Sequence, residues 1–134
     1  MLNKDGALSF SYHRQESGEH MKVQYLEIVS VDVVAVCEVY EKAHGVIFGS
    51  ADELLGGART CVLPDGSIIG IRGPLSETEE PVVRPYWLTE DIDKALDTVK
   101  GLGAEVAHPP LEISGKGKFA IYIHGGVQHG LWQL

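Results

Sequence analysis

The chain has only two cysteines, 7% aromatic residues, 11 basic residues against 19 acidic ones, and no long apolar run. Each shortage excludes something. Cys37 and Cys61 stand in apolar surroundings and are too few for a secreted disulfide framework, so both read as small core residues in a reduced, cytoplasmic setting. A net charge of −8 repels phosphate backbones and anionic lipid, which argues against nucleic acid and membrane as partners. The longest apolar stretch, Val33 to Cys37, is far below a bilayer span, and Lys4, Asp5, Arg14, Glu16 and Glu19 interrupt the place where a signal peptide would carry its apolar region. There is no G-x-S-x-G elbow and no GK[ST] loop; Gly115-Lys-Gly-Lys118 is a turn, so serine and nucleotide hydrolysis have no support. What remains is ordinary globular composition. A chain of 134 residues, 44% apolar and 22% charged, is expected to fold as one domain with a sizeable core.

The first positive signal is an internal repeat. Tyr25-Leu-Glu-Ile-Val-Ser-Val31 reads as a strand leading into Asp32, and apolar residues at 33, 36, 37 and 40 before Gly45 read as an amphipathic helix. Arg84-Pro-Tyr-Trp-Leu-Thr-Glu90 leads likewise into Asp91, which stands 59 residues after Asp32; Ile92, Ala95, Leu96 and Val99 repeat the helical spacing before Gly101 and Gly103. Each aspartate is placed to cap its helix. Extended candidates follow at Val46–Ser50, Ala58–Leu63 and Ser67–Arg72, then at Glu105–Ala107 before a Pro109-Pro110 break, at Lys118–His124 and at Gln128–Leu134.

Each half is thus βαβββ: module one over 22–75, module two over 82–134, and a solvated acidic linker over 76–81. Neither half can bury a sheet face alone. The expected fold is α+β, two modules forming curved mixed sheets around a cavity with the helices outside. Residues 1–21 are an N-terminal extension, in which Ala7 to His13 alternates enough for an added strand.

With this pattern the sequence resembles the vicinal-oxygen-chelate superfamily, the glyoxalase, bleomycin-resistance and extradiol-dioxygenase group. The resemblance covers 22–134 and rests on Tyr25-Leu-Glu27 with Asp32, Tyr40-Glu-Lys42 with Gly45, Gly66-Ser-Ile-Ile-Gly70 with Pro74, Glu90-Asp-Ile-Asp-Lys-Ala95, Leu102-Gly103, Pro109-Pro110 and Gly130-Leu-Trp-Gln133. Glu27 and the Leu131-Trp-Gln133 ending look most like its small glyoxalase-related "predicted hydroxylase" branch. The resemblance implies a glyoxalase-like fold, a cavity between paired modules and a homodimer.

Metal-dependent members of that group carry a histidine in the first strand of each module and a glutamate in each last strand. Here the first-strand slots hold Tyr25 and Arg84, and the last-strand slots fall near Gly70 or Arg72 and near Gly130. The expectation is therefore no metal cofactor, with Glu27 and His129 as fallback ligands should a divalent metal be present. Period-two alternation puts Tyr25, Glu27, Arg84 and Tyr86 on the cavity face, joined by Arg72 from the opposing strand.

Glu27 is the catalytic candidate, since an enclosed carboxylate can serve as a general base; the plainer reading is a structural ion pair with Arg84 or Arg72. Arg84 could clamp a ligand carboxylate or phosphate or simply make that same salt bridge, Arg72 is a further binding candidate, and Tyr25 and Tyr86 could donate to a ligand or simply fill the core. Trp87 and Trp132 are expected under helices or at a dimer contact, and His44, His108, His124 and His129 as satisfied or surface residues. The function expected is binding of a small polar or anionic molecule, with proton transfer of the isomerase, epimerase or lyase type as its possible chemistry. The alternatives are a ligand-sequestering dimer resembling the bleomycin-resistance members and a metal-dependent lyase or dioxygenase.

Overall fold

The computed structural model describes residues 21–134, so the strand expected over Ala7–His13 lies outside the described residues. Its elements run β1 (Val23–Val29), α1 (Val33–His44), β2 (Ala51–Asp52), a 3-10 turn at Glu53–Leu55, β3 (Ala58–Val62) and β4 (Ile68–Arg72). The second half follows with β5 (Val82–Leu88), α2 (Ile92–Gly101), β6 (Glu105–Ile113), β7 (Gly117–His124) and β8 (Val127–Gln133). Both helices start where the sequence places them, because Asp32 accepts from the Ala35 amide and Asp91 from the Lys94 amide, satisfying donors that a helix start leaves orphaned.

The strands form one eight-stranded sheet in the order β2-β3-β4-β1-β5-β8-β7-β6. Each module contributes four neighbours. β1 is parallel to β4 and β5 is parallel to β8, while β1 and β5 meet antiparallel at the centre and join the modules. The two halves are related by a local pseudo-twofold that passes between β1 and β5. Gly125 and Gly126, both at positive φ, make the two-residue turn between β7 and β8, a conformation that glycine adopts without strain.

One face of the sheet is covered by the helices. Cys37 on α1 packs with Ile28, Cys61, Ile71 and Phe48, and Ile92 and Leu96 on α2 pack with Ala120 and Leu131, with Trp87 beside them as expected. The other face carries a third cluster, Tyr25, Leu55, Ala58, Tyr86 and Trp132.

Three local expectations differ from the structure. Val46–Ser50 forms no strand, because Phe48 is drawn into the core under α1, its amide donating to Glu41 and its carbonyl accepting from Arg59. Pro109-Pro110 does not end β6, which runs through to Ile113 with register shifts around His108 and Leu111; β6 is the sheet's edge, where a missing amide donor is tolerated. The inter-module segment is exposed over 75–78 and 80–81, but Glu79 folds back onto the site described next.

Candidate functional site

The face without helices holds a cavity of about 420 Å³. The four residues that strand parity selected, Tyr25, Glu27, Arg84 and Tyr86, line it, and so does Arg72, the possible addition from the opposing strand. They arrive from the three central strands of the sheet. The register sets Tyr25 against Tyr86 and Glu27 against Arg84 across β1 and β5, and Val29 against Arg72 across β1 and β4.

Glu27 sits at the centre of the charged floor. Its Oε1 accepts from the Tyr86 hydroxyl at 2.8 Å and from Arg84 Nη1, and its Oε2 accepts from Arg72 Nε at 2.8 Å. Arg72 is held a second time, by both carboxylate oxygens of Glu79 at 2.8 Å in a fork-on-fork pair. Glu79 also accepts from the Leu75 amide. The hydrogen bonds from Arg72 hold the Glu79 carboxyl down to about 2, and that same bond, with help from Glu27, holds the Arg72 guanidinium above its ordinary range. Burial first, and then the Glu27 charge, push the hydroxyls of Tyr25 and Tyr86 well above the usual tyrosine range, so both stay protonated donors. Among the described residues the Tyr25 hydroxyl and Arg84 Nε are buried without a hydrogen-bond partner.

Two glycines make this packing possible. Gly70 lies opposite Glu27 in β4, and Gly130 lies opposite Tyr86 in β8, so they occupy equivalent places in the two modules. A Cβ on Gly70 would fall inside the Tyr25 ring and hydroxyl, and one on Gly130 would lie 2.5 Å from Tyr86 Cδ2. The positions at which the sequence resemblance implies metal ligands hold Tyr25, Arg84, Gly70 or Arg72, and Gly130. No group of three or more His, Cys, Asp or Glu side chains is gathered in metal-binding proximity among the described residues. His129 stacks on Tyr122 and donates from Nε2 to the His124 carbonyl on the helix side of the sheet, so the fallback pair Glu27 and His129 is not brought together.

The rest of the cavity is apolar, and much of it escaped the sequence reading. Trp132 is not under a helix. The pairing of Gly130 with Tyr86 turns Leu131 towards α2 and Trp132 inward, where it stacks on Tyr25 at 5.1 Å between centroids and donates its indole N–H to the Lys116 carbonyl. Phe119 stacks beside Trp132, and His108 stacks on Phe119 at 4.8 Å with Nδ1 against the Pro109 carbonyl. The 3-10 turn after β2 supplies Leu54 and Leu55, and Leu75 and Leu111 complete the mouth. A glycine inside an otherwise apolar strand, as at Gly70 and Gly130, is the signal that would have pointed to rings lying across the sheet.

No protein-family model matches the chain, and no curated protein matches it in sequence. Solved structures do match. A hypothetical protein, BH1468 from Bacillus halodurans C-125, superposes with a TM-score of 0.69 at 15% identity over 87% of this chain and 96% of that one. Methylmalonyl-CoA epimerase from Mycobacterium tuberculosis gives 0.64 at 16% identity over 82% and 85%. Streptomyces coelicolor methylmalonyl-CoA epimerase in complex with 2-nitronate-propionyl-CoA gives 0.61 at 18% over 84% and 96%. At these identities the likeness shows the fold, the glyoxalase-like arrangement of paired βαβββ modules.

Proposed function

We propose that this chain binds a small organic molecule in the cavity beneath Trp132 and that it does so without a resident metal ion. The observation that carries the reading is the exchange of ligand slots for Tyr25, Arg84, Gly70 and Gly130, around a cavity within the size range of small-molecule sites. The chain's place in the small glyoxalase-related branch belongs to the same proposal. It is supported by the position of the residues that suggested it: Glu27 and Trp132 line the cavity, and Gln133 accepts from the Ile92 amide at the start of α2. Pairing of two copies is also proposed; the exposed Leu54, Leu75 and Leu111 around the mouth are apolar surface that a second copy would cover. No described helix is long and apolar enough to cross a membrane.

A second reading is proton transfer at carbon next to a ligand carbonyl, with Glu27 as base and Arg84 stabilising the charge that develops. It is favoured by one observation, a carboxylate and a guanidinium side by side on the cavity floor, each with about a tenth of its side chain exposed. All three contacts on Glu27 are donors and two of them are cationic, so they favour its charged form and weaken it as a proton acceptor. Binding therefore stands first. Native mass spectrometry of protein purified without chelator tests both: we expect no stoichiometric Ni, Zn, Fe or Mn, and a stoichiometric metal would overturn the proposal. With a substrate in hand, a Glu27→Gln variant that turns over at full rate would remove the proton-transfer reading.

A further inference from the structure

The charges of the cavity floor and the rings of its wall together restrict what can enter. Two guanidinium groups, Arg72 and Arg84, face two carboxylates, Glu27 and Glu79, and each charge is already met by an opposite one. An incoming carboxylate would find no unmatched positive charge. It would have to displace Glu79, which grips Arg72 with both oxygens from seven residues along the same chain, or Glu27, which is held by three donors. The alternative, an unpaired anion among apolar side chains, costs several kcal/mol. A neutral acceptor oxygen meets neither obstacle, since Arg84 lines the cavity, gives only Nη1 to Glu27, and so keeps guanidinium donors for a ligand without breaking that pair.

The wall adds apolar character. His108, Phe119 and Trp132 stack in sequence with ring planes within 28° and 29° of each other, and Tyr25 continues the series at 28° to Trp132. Rings stacked on one another turn mainly their edges to the cavity, so this wall is apolar, and the leucines of the mouth add apolar contacts without polar demands.

From these we infer that the cavity takes an electrically neutral, largely apolar molecule with a carbonyl or similar acceptor oxygen at the Arg84 end. This narrows the small polar or anionic ligand expected from the sequence, and it rests on the reading that the cavity binds a small molecule at all. The protein has two tryptophans, so its two indole N–H resonances separate the cavity, at Trp132, from the helix-covered core, at Trp87. The probes are an isosteric pair, 2-acetylnaphthalene and 2-naphthoate, titrated at pH 7 into the whole 15N-labelled chain.

We expect the ketone to shift the Trp132 resonance saturably with little change at Trp87, and the naphthoate to bind at least tenfold more weakly. A Glu79→Gln variant leaves Arg72 with one carboxylate partner instead of two, and the naphthoate-to-ketone affinity ratio should rise at least threefold. If naphthoate binds wild-type protein as tightly as the ketone, or more tightly, the neutral-ligand inference is overturned and the binding reading stands. If neither probe moves Trp132, or both move Trp87 equally, the binding reading itself is overturned.

Discussion

Removing the Glu27 carboxylate should unfold this protein more readily than any other single truncation on the cavity floor, and the size of the loss follows from what each partner keeps. In a Glu27→Ala variant Arg72 retains Glu79 and the Gly73 carbonyl, so it is not orphaned. Tyr86 loses the one bond its hydroxyl makes, a cost of about 1–2 kcal/mol for a buried donor. Arg84 loses its one ion pair while about nine-tenths buried, and breaking a buried pair from one side costs about 3–5 kcal/mol. The exposed edge of the guanidinium lets water recover part of this, so a total of about 3–4 kcal/mol is expected, a large share of the roughly 5–15 kcal/mol that holds a domain together. Equilibrium urea unfolding reads it directly: at an m value of about 1–3 kcal/mol/M the midpoint falls by about 1 M or more. The second arm removes the orphan as well. Glu27→Leu combined with Arg84→Met should be more stable than Glu27→Leu alone, because the uncompensated charge is gone. A Glu27→Ala loss below about 1 kcal/mol, or strict additivity in the double variant, would refute the ion network as a source of stability.

Two further outcomes follow from the same geometry. Gly70→Ala would put a methyl group into Tyr25, and β4 is held between β1 and β3, so the ring must swing off Trp132; a loss of about 3 kcal/mol by urea unfolding is expected, smaller when Tyr25→Ala is already present, and an unchanged midpoint would contradict the placement of the ring. Glu79 has its folded-state value lowered from 4.5 to about 2, so its contribution is present in full above about pH 5 and drains away as pH falls towards 2; with a fifth of the side chain exposed this is worth about 2 kcal/mol, and Glu79→Gln should flatten the stability-against-pH curve in that window while leaving it less stable at pH 7.

The parts of the structure that were legible in the sequence are the local and periodic ones. Asp32 and Asp91 announce helix starts, apolar spacing fixes which faces of α1 and α2 are buried, and the 59-residue offset reveals the duplication before any contact is known. Strand parity then suffices to bring Tyr25, Glu27, Arg84 and Tyr86 to one face, because alternation is a property of the backbone. What stayed hidden depends on tertiary detail. Glu79 lies in an acidic stretch that looks like solvent-facing linker, and only the fold shows Arg72 within its reach. Trp132 could not be placed without the register of β8, where a single residue decides which side chains turn inward. His108 comes into the wall through shifts in an edge strand that two prolines make unreadable from pattern alone.

The duplication also explains why the floor has two different ends. Positions 25 and 84 are equivalent in the two modules, as are 27 and 86, and the pseudo-twofold between β1 and β5 carries the pair Tyr25–Tyr86 onto the pair Arg84–Glu27. Identical residues in both copies would make the two pairs alike, so two such modules could present either two ion pairs or two aromatic pairs. Here the residues differ: one side of the axis holds the tyrosine rings and continues into Trp132, and the other holds the ion pair that reaches Arg72 and Glu79. An apolar flank and a polar flank within one small cavity give a ligand one orientation instead of two, and a pair of identical modules could not differ in this way.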